Sequence, residues 1–137
     1  MVSTFKVLVQ HGRAPLYVSW VVTNHCNLRC EYCACPDIAG KELSTEQCLE
    51  LLDGMAALGT RQIKFTGGEP LVRKDLPQLL ARAEEHGIAT SLNSNGTLIP
   101  RMLDKLGSLR SISLSLDGAA LTHNGHRGDG QFQEVIE

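Results

Sequence analysis

Four runs of the chain read as β-strands, and in three of them apolar and polar residues alternate. In residues 16–23, Val18, Trp20 and Val22 take one side against Ser19, Val21 and Thr23. In 62–66, Ile63 and Phe65 oppose Gln62, Lys64 and Thr66. Residues 88–94 form the third run. In 110–116, Ile112, Leu114 and Leu116 oppose Ser111, Ser113 and Ser115. A short apolar run at 5–9 predicts a further strand. Between the runs the apolar spacing changes to three and four. Cys48, Leu51, Leu52, Met55 and Leu58 share one face of a helix over 44–58, which Ser44 and Gln47 cap reciprocally and Gly59 ends. Leu76, Leu79, Leu80 and Ala83 face inward from a second helix, capped by Asp75 and ended by Gly87. Pro100 opens a short helix to Leu106, and another helix starts near Gln131.

Strands alternating with helices predict an α/β fold with parallel strands and right-handed crossovers. The strand faces narrow this further. A parallel sheet covered on both sides is apolar throughout, and a closed eight-stranded barrel fills its interior with branched apolar side chains. Here one face is apolar and the other small or polar. The pattern therefore predicts a curved sheet lining a wet cavity: a partial (β/α) barrel. The whole chain, 1–137, reads as one domain with about four β/α units, whereas a complete eight-unit barrel takes about 250 residues. The expectation is an N-terminal portion of a barrel, truncated or split. The loops that follow the C-terminal ends of the strands are where barrel active sites lie.

Composition removes several classes of function. A formal net charge of -2 and a pI near 6.2 give no electrostatic case for nucleic acid or an anionic membrane. No apolar run reaches the length of a membrane span. No signal peptide is evident at the N-terminus. Five clustered cysteines then read as metal ligands rather than disulfides, which points to a reducing, cytoplasmic compartment.

Three of these cysteines dominate the chemistry. Cys26, Cys30 and Cys33 fall within eight residues, directly after the first strand. Structural zinc takes four protein ligands, so a zinc site needs Cys35 or His25 as the fourth. A redox dithiol of Cys30 and Cys33 leaves Cys26 unused. Three thiolates also suit a cubane iron–sulfur cluster in which three irons are tied to protein and one stays open to a small molecule. Zinc-binding structural domain and cluster site both stay open on spacing alone. Cys35 reads as a spare structural thiol and Cys48, on the apolar helix face, as core.

Cys26, Cys30 and Cys33, with Tyr32 before the last of them, resemble the cluster motif of the radical S-adenosylmethionine enzymes. Gly67-Gly68-Glu69-Pro70, at the end of the second strand, resembles that superfamily's second motif. Residues 93–98, 113–118 and 123–128 are similar to the branch of sulfatase maturases, peptide-modifying enzymes and enzymes of quinone-cofactor, haem and molybdenum-cofactor synthesis. The resemblance implies a [4Fe-4S] cluster on the three cysteines. It also implies S-adenosyl-L-methionine on the open iron, cleaved by one electron to a 5′-deoxyadenosyl radical that abstracts hydrogen. Gly67 and Gly68 let backbone approach the methionine moiety, and Glu69 helps hold its amino group. By the same likeness Asn93 and Ser115 bind the cosubstrate. Arg127 stabilises its loop or reaches the carboxylate. Implied partners are a one-electron reductant of flavodoxin or ferredoxin type and a peptide or small-molecule substrate. The alternative is an iron–sulfur binding module that needs a second chain to complete its barrel.

Overall fold

The computed structural model describes residues 15–35, 40–107 and 109–137. The strand expected at 5–9 lies outside them, as do residues 36–39 of the irregular stretch that follows the cysteines. Four strands form one sheet: β1 (Tyr17–Thr23), β2 (Gln62–Gly67), β3 (Ala89–Ser94) and β4 (Leu109–Leu114). Helix α1 (Thr45–Ala57) joins β1 to β2, α2 (Leu76–Glu85) joins β2 to β3, and the short α3 (Ile99–Met102) leads toward β4. Helices α4 (Ala120–Arg127) and α5 (Gln131–Ile136) follow.

Every pairing is parallel, in the order β1-β2-β3-β4. The register puts Trp20 beside Phe65, Phe65 beside Leu92 and Leu92 beside Ile112. This row packs on Leu52, Met55, Leu76, Leu79 and Leu80 in a single core. One step along, Ser19, Lys64, Ser91 and Ser111 pair across the other face, and none of them is buried. The sheet thus has a dry face under the helices and a wet face opposite, as the alternation predicts.

Local chemistry sets the element ends. Ser44 Oγ accepts the Gln47 N–H and the Gln47 side chain accepts the Ser44 N–H, closing the expected capping box on α1. Asp75 precedes α2 but does not cap it with its side chain. Its carboxylate is taken by Arg73 and by the Thr45 hydroxyl. The helix expected from Pro100 to Leu106 tightens into a 3-10 turn at Leu103–Lys105, which leaves Leu103 exposed and Leu106 buried. Helix α4 has no counterpart in the apolar pattern, because His123 is its one buried side chain.

Arg73 ties three of these elements together. Its guanidinium donates to the Val22 carbonyl at the end of β1 (2.8 Å), to the Leu43 carbonyl before α1 (3.0 Å) and to both oxygens of Asp75 before α2. The Arg73 and Asp75 side chains are 8% and 15% exposed. Removing one partner of so buried a pair strands the other, so Arg73→Ala is expected to lower stability by about 3 kcal/mol in urea unfolding. Burial pushes the Asp75 carboxyl up, but hydrogen bonds from Arg73 and Thr45 outweigh it and hold the group below its usual value. A carboxyl depressed in the folded state contributes stability above its unfolded pKa of about 3.9 and loses it as the pH falls through the folded value. The gap between wild type and Arg73→Ala is therefore widest at neutral pH and narrows in acid below about pH 3.9.

Candidate functional site

The loop after β1 carries the three cysteines. Cys33 N–H donates to the Cys30 carbonyl at 3.0 Å, so Cys30-Glu31-Tyr32-Cys33 is a hydrogen-bonded turn with a thiol at each end. Cys26 Sγ accepts the Leu28 N–H at 3.4 Å. All three cysteines line one cavity on the wet side of the sheet. Facing them are Gly67 and Gly68 from the exit of β2, Asn93 from β3, Ser115 just past β4, and Arg127 at the end of α4. Eight of the nine residues singled out from sequence thus share one cavity. The ninth, Glu69, does not line it. A larger cavity of about 500 Å³ opens behind the exit of β1, but its Glu42, Arg73 and Asp75 are hydrogen-bonded within the protein.

The glycines also have a packing role. A Cβ on Gly67 would stand 2.1 Å from the Thr23 carbonyl oxygen, and one on Gly68 2.2 Å from that of His25. Both missing side chains point at backbone leading into the cysteine loop. Gly68 N–H donates to Thr23 O at 2.9 Å and Glu69 N–H to His25 O at 2.8 Å. The pair of glycines lets the exits of β1 and β2 touch, and that contact seats the loop. Gly67 also holds φ +136°, which other residues rarely adopt.

Glu69 sits behind this contact, fully buried. Its Oε1 accepts from the Leu71 N–H (3.1 Å) and the Ser94 hydroxyl (3.0 Å), and Oε2 accepts from the Asn95 N–H (2.8 Å). Burial pushes its carboxyl up, and the three hydrogen bonds oppose that. A carboxylate offers about four acceptor positions, so one is left. The carboxylate therefore bolts the exit of β2 to the exit of β3.

Two further grips hold the cysteine loop, one of them through Arg127, for which the resemblance implies a loop-stabilising role. Asn95 donates to Asn27 Oδ1 at 2.9 Å, and Asn27 donates to Thr97 Oγ1 at 2.8 Å. These tie the first half of the loop to the exit of β3. At the second half, Tyr32 Oη donates to Asp117 at 3.0 Å and accepts from Arg127 Nη2 at 2.6 Å. Arg127 also donates to both Asp117 oxygens. No periodicity or spacing reports such ties, because they join polar residues far apart in the chain.

The neighbouring thiols act on one another electrostatically. Burial pushes the Cys30 thiol up; Arg127 opposes it, and the neighbouring Cys26 and Cys33 reinforce it. Burial likewise raises the Cys35 thiol, again with Cys33 and Cys26 adding to the shift. Crowded thiolates repel one another until metal neutralises them. Among the described residues no three His, Cys, Asp or Glu side chains form a group that could hold a metal ion. The sulfurs of one zinc would all lie about 2.3 Å from it, whereas the cysteines of a cluster bind separate irons. What the three cysteines share is the lining of one cavity.

Comparison with known proteins agrees. The model of the Radical SAM superfamily matches residues 20–137. The Fe-coproporphyrin III synthase of Methanosarcina barkeri is 44% identical over 126 residues, covering 87% of this chain and 32% of that protein. The PqqA peptide cyclase of Granulibacter bethesdensis is 45% identical over 96 residues, covering 67% of this chain and 26% of its own. The chain thus spans about a third or less of these relatives. In fold it matches Streptococcus suis SuiB, solved with S-adenosylmethionine, at a TM-score of 0.74 and 23% identity, over 94% of this chain and 33% of SuiB. No helix among the described residues is long and apolar enough to cross a membrane. On the match of all but its first 19 residues, the chain belongs to the radical S-adenosylmethionine superfamily.

Proposed function

We propose that this chain is the cluster- and cosubstrate-binding part of a radical S-adenosylmethionine enzyme, with Cys26, Cys30 and Cys33 as the ligands of a [4Fe-4S] cluster. The observation that carries this reading is the convergence of the three thiols on one cavity with the exits of β2, β3 and β4. When bound, the cluster supplies the electron that cleaves a sulfonium carbon–sulfur bond of S-adenosylmethionine, giving methionine and a 5′-deoxyadenosyl radical that takes hydrogen from the substrate. The chain's own residues bind and orient. Gly67 and Gly68 present backbone to the cavity, and Asn93 and Ser115 offer polar side chains on the opposite wall. Glu69, buried behind the cavity, holds that wall in register through Ser94 and Asn95. Arg127 holds the cysteine turn through Tyr32 rather than facing the cosubstrate alone. A flavodoxin- or ferredoxin-type donor would supply the electron.

For the substrate we propose a peptide or a cofactor precursor. PqqA peptide cyclase and SuiB, solved with precursor peptide SuiA, stand for the first class. Fe-coproporphyrin III synthase and GTP 3′,8-cyclase stand for the second. The test is anaerobic incubation of the cluster-loaded chain with S-adenosylmethionine and dithionite. The expected result is methionine and 5′-deoxyadenosine in equal amounts. A folded, cluster-loaded sample that makes no 5′-deoxyadenosine would leave the ancestry and remove the activity. One observation favours a second reading, in which another polypeptide completes the barrel: Leu114 and Leu116, at the edge strand β4 and just past it, are 46% and 52% exposed. Co-elution with the product of a neighbouring gene on size exclusion would support it.

A further inference from the structure

Both corner residues of the turn that carries Cys30 and Cys33 are anchored to the segment after β4. Glu31 donates its N–H to the His126 carbonyl at 3.0 Å, and its carboxylate meets His126 Nδ1 at 3.2 Å. Tyr32 holds Asp117 and Arg127 through one hydroxyl, 85 and 95 residues away in the chain. Its ring also meets His126 edge-on, with centroids 5.6 Å apart. Asp117 is fixed in turn. Its N–H donates to Nδ1 of His123 at 3.2 Å, and that fully buried ring packs against Phe132. The turn's corners therefore cannot shift without moving α4, and the turn's two ends are thiols.

On the reading that these thiols hold a cluster, we infer that Tyr32 is a positioning residue whose hydroxyl, clasped by Asp117 and Arg127, sets the pose of Cys30 and Cys33. The aromatic ring alone does not do this. It is 57% exposed, and the hydroxyl makes the long-range hydrogen bonds. The clasp also makes the cluster cradle depend on β4 and α4, so that a complete cradle exists only once those elements have docked.

Tyr32→Phe keeps the ring and removes the hydroxyl. Two measurements on the full chain test it. In metal-free protein, the amides of Glu31 and Cys33 should exchange with deuterium about 10-fold faster than in wild type, while those of β2 and β3 stay unchanged. In reconstituted protein, loss of cluster absorbance to an iron chelator should be about 10-fold faster, in line with the effect of partners outside the ligand shell at metal sites. The double variant with Asp117→Asn should release no faster than Tyr32→Phe alone, because both break one unit. Tyr17→Phe, at an exposed tyrosine of β1, should match wild type. If wild type holds a cluster and Tyr32→Phe releases it within twofold of the wild-type rate, the positioning role falls while the cofactor assignment stands. If wild type takes up no cluster, both fall.

Discussion

A methyl group added at Gly67 is expected to destabilise the protein by about 3–5 kcal/mol, since it combines a left-handed-side backbone with an overpacked contact. The new Cβ would lie 2.1 Å from a backbone oxygen of Thr23, which cannot rotate away as a side chain can. Gly68→Ala meets three backbone atoms within 2.8 Å, at His25 and Asn24, and is expected to cost a similar amount. Domains of this size are stable by only about 5–15 kcal/mol, so either change removes a large share. Gly54 is the control. It lies inside α1 with nothing within 4 Å of an added Cβ, and Gly54→Ala should stabilise by about 0.5–1 kcal/mol through helix propensity. Urea unfolding of the metal-free chain reads all three. A Gly67→Ala protein within 1 kcal/mol of wild type, on the scale of an ordinary surface substitution, would show that the exits of β1 and β2 do not touch as described.

Serine at position 26, 30 or 33 is expected to empty the site. With only three thiolates available to hold the cluster, loss of one leaves too few. Iron bound after anaerobic reconstitution should fall to about a tenth of wild type or less, beyond the usual effect of a partner outside the ligand shell. Cys35→Ser and Cys48→Ser should keep their iron. Cys48 is 1% exposed, with its sulfur against Arg73, and belongs to the core. Cys35 stands near Cys33 and Cys26 and tests the assignment most sharply. Should Cys35→Ser lose the cluster while Cys26→Ser retains it, the ligand set would have to be redrawn.

The alternating runs disclosed the strands to within a residue or two, because a sheet with one dry and one wet face writes its period directly into the sequence. The apolar stripes of α1 and α2 were equally legible, down to Leu76, Leu79, Leu80 and Ala83. Helix α4 was not, since it buries a histidine instead of an apolar stripe and is held by polar ties. The cysteines and the Gly-Gly-Glu stretch stood out by residue type and spacing. Their second layer did not. Asn27, Asn95, Asp117 and His123 look like ordinary loop residues until folding places them against the cysteine loop. The two glycines stand out by residue type, but only the fold shows that a Cβ added at either would meet backbone at Thr23 or His25.

Whether three thiolates hold a cluster with one iron left for S-adenosylmethionine can be read by electron paramagnetic resonance of the reduced, reconstituted chain, with and without S-adenosylmethionine labelled at the methionine amino nitrogen. The expected result is a [4Fe-4S] signal that shifts on addition and shows coupling between the labelled nitrogen and the cluster. A cluster signal that the cosubstrate leaves unchanged, or a chain that binds zinc in place of iron, would contradict it.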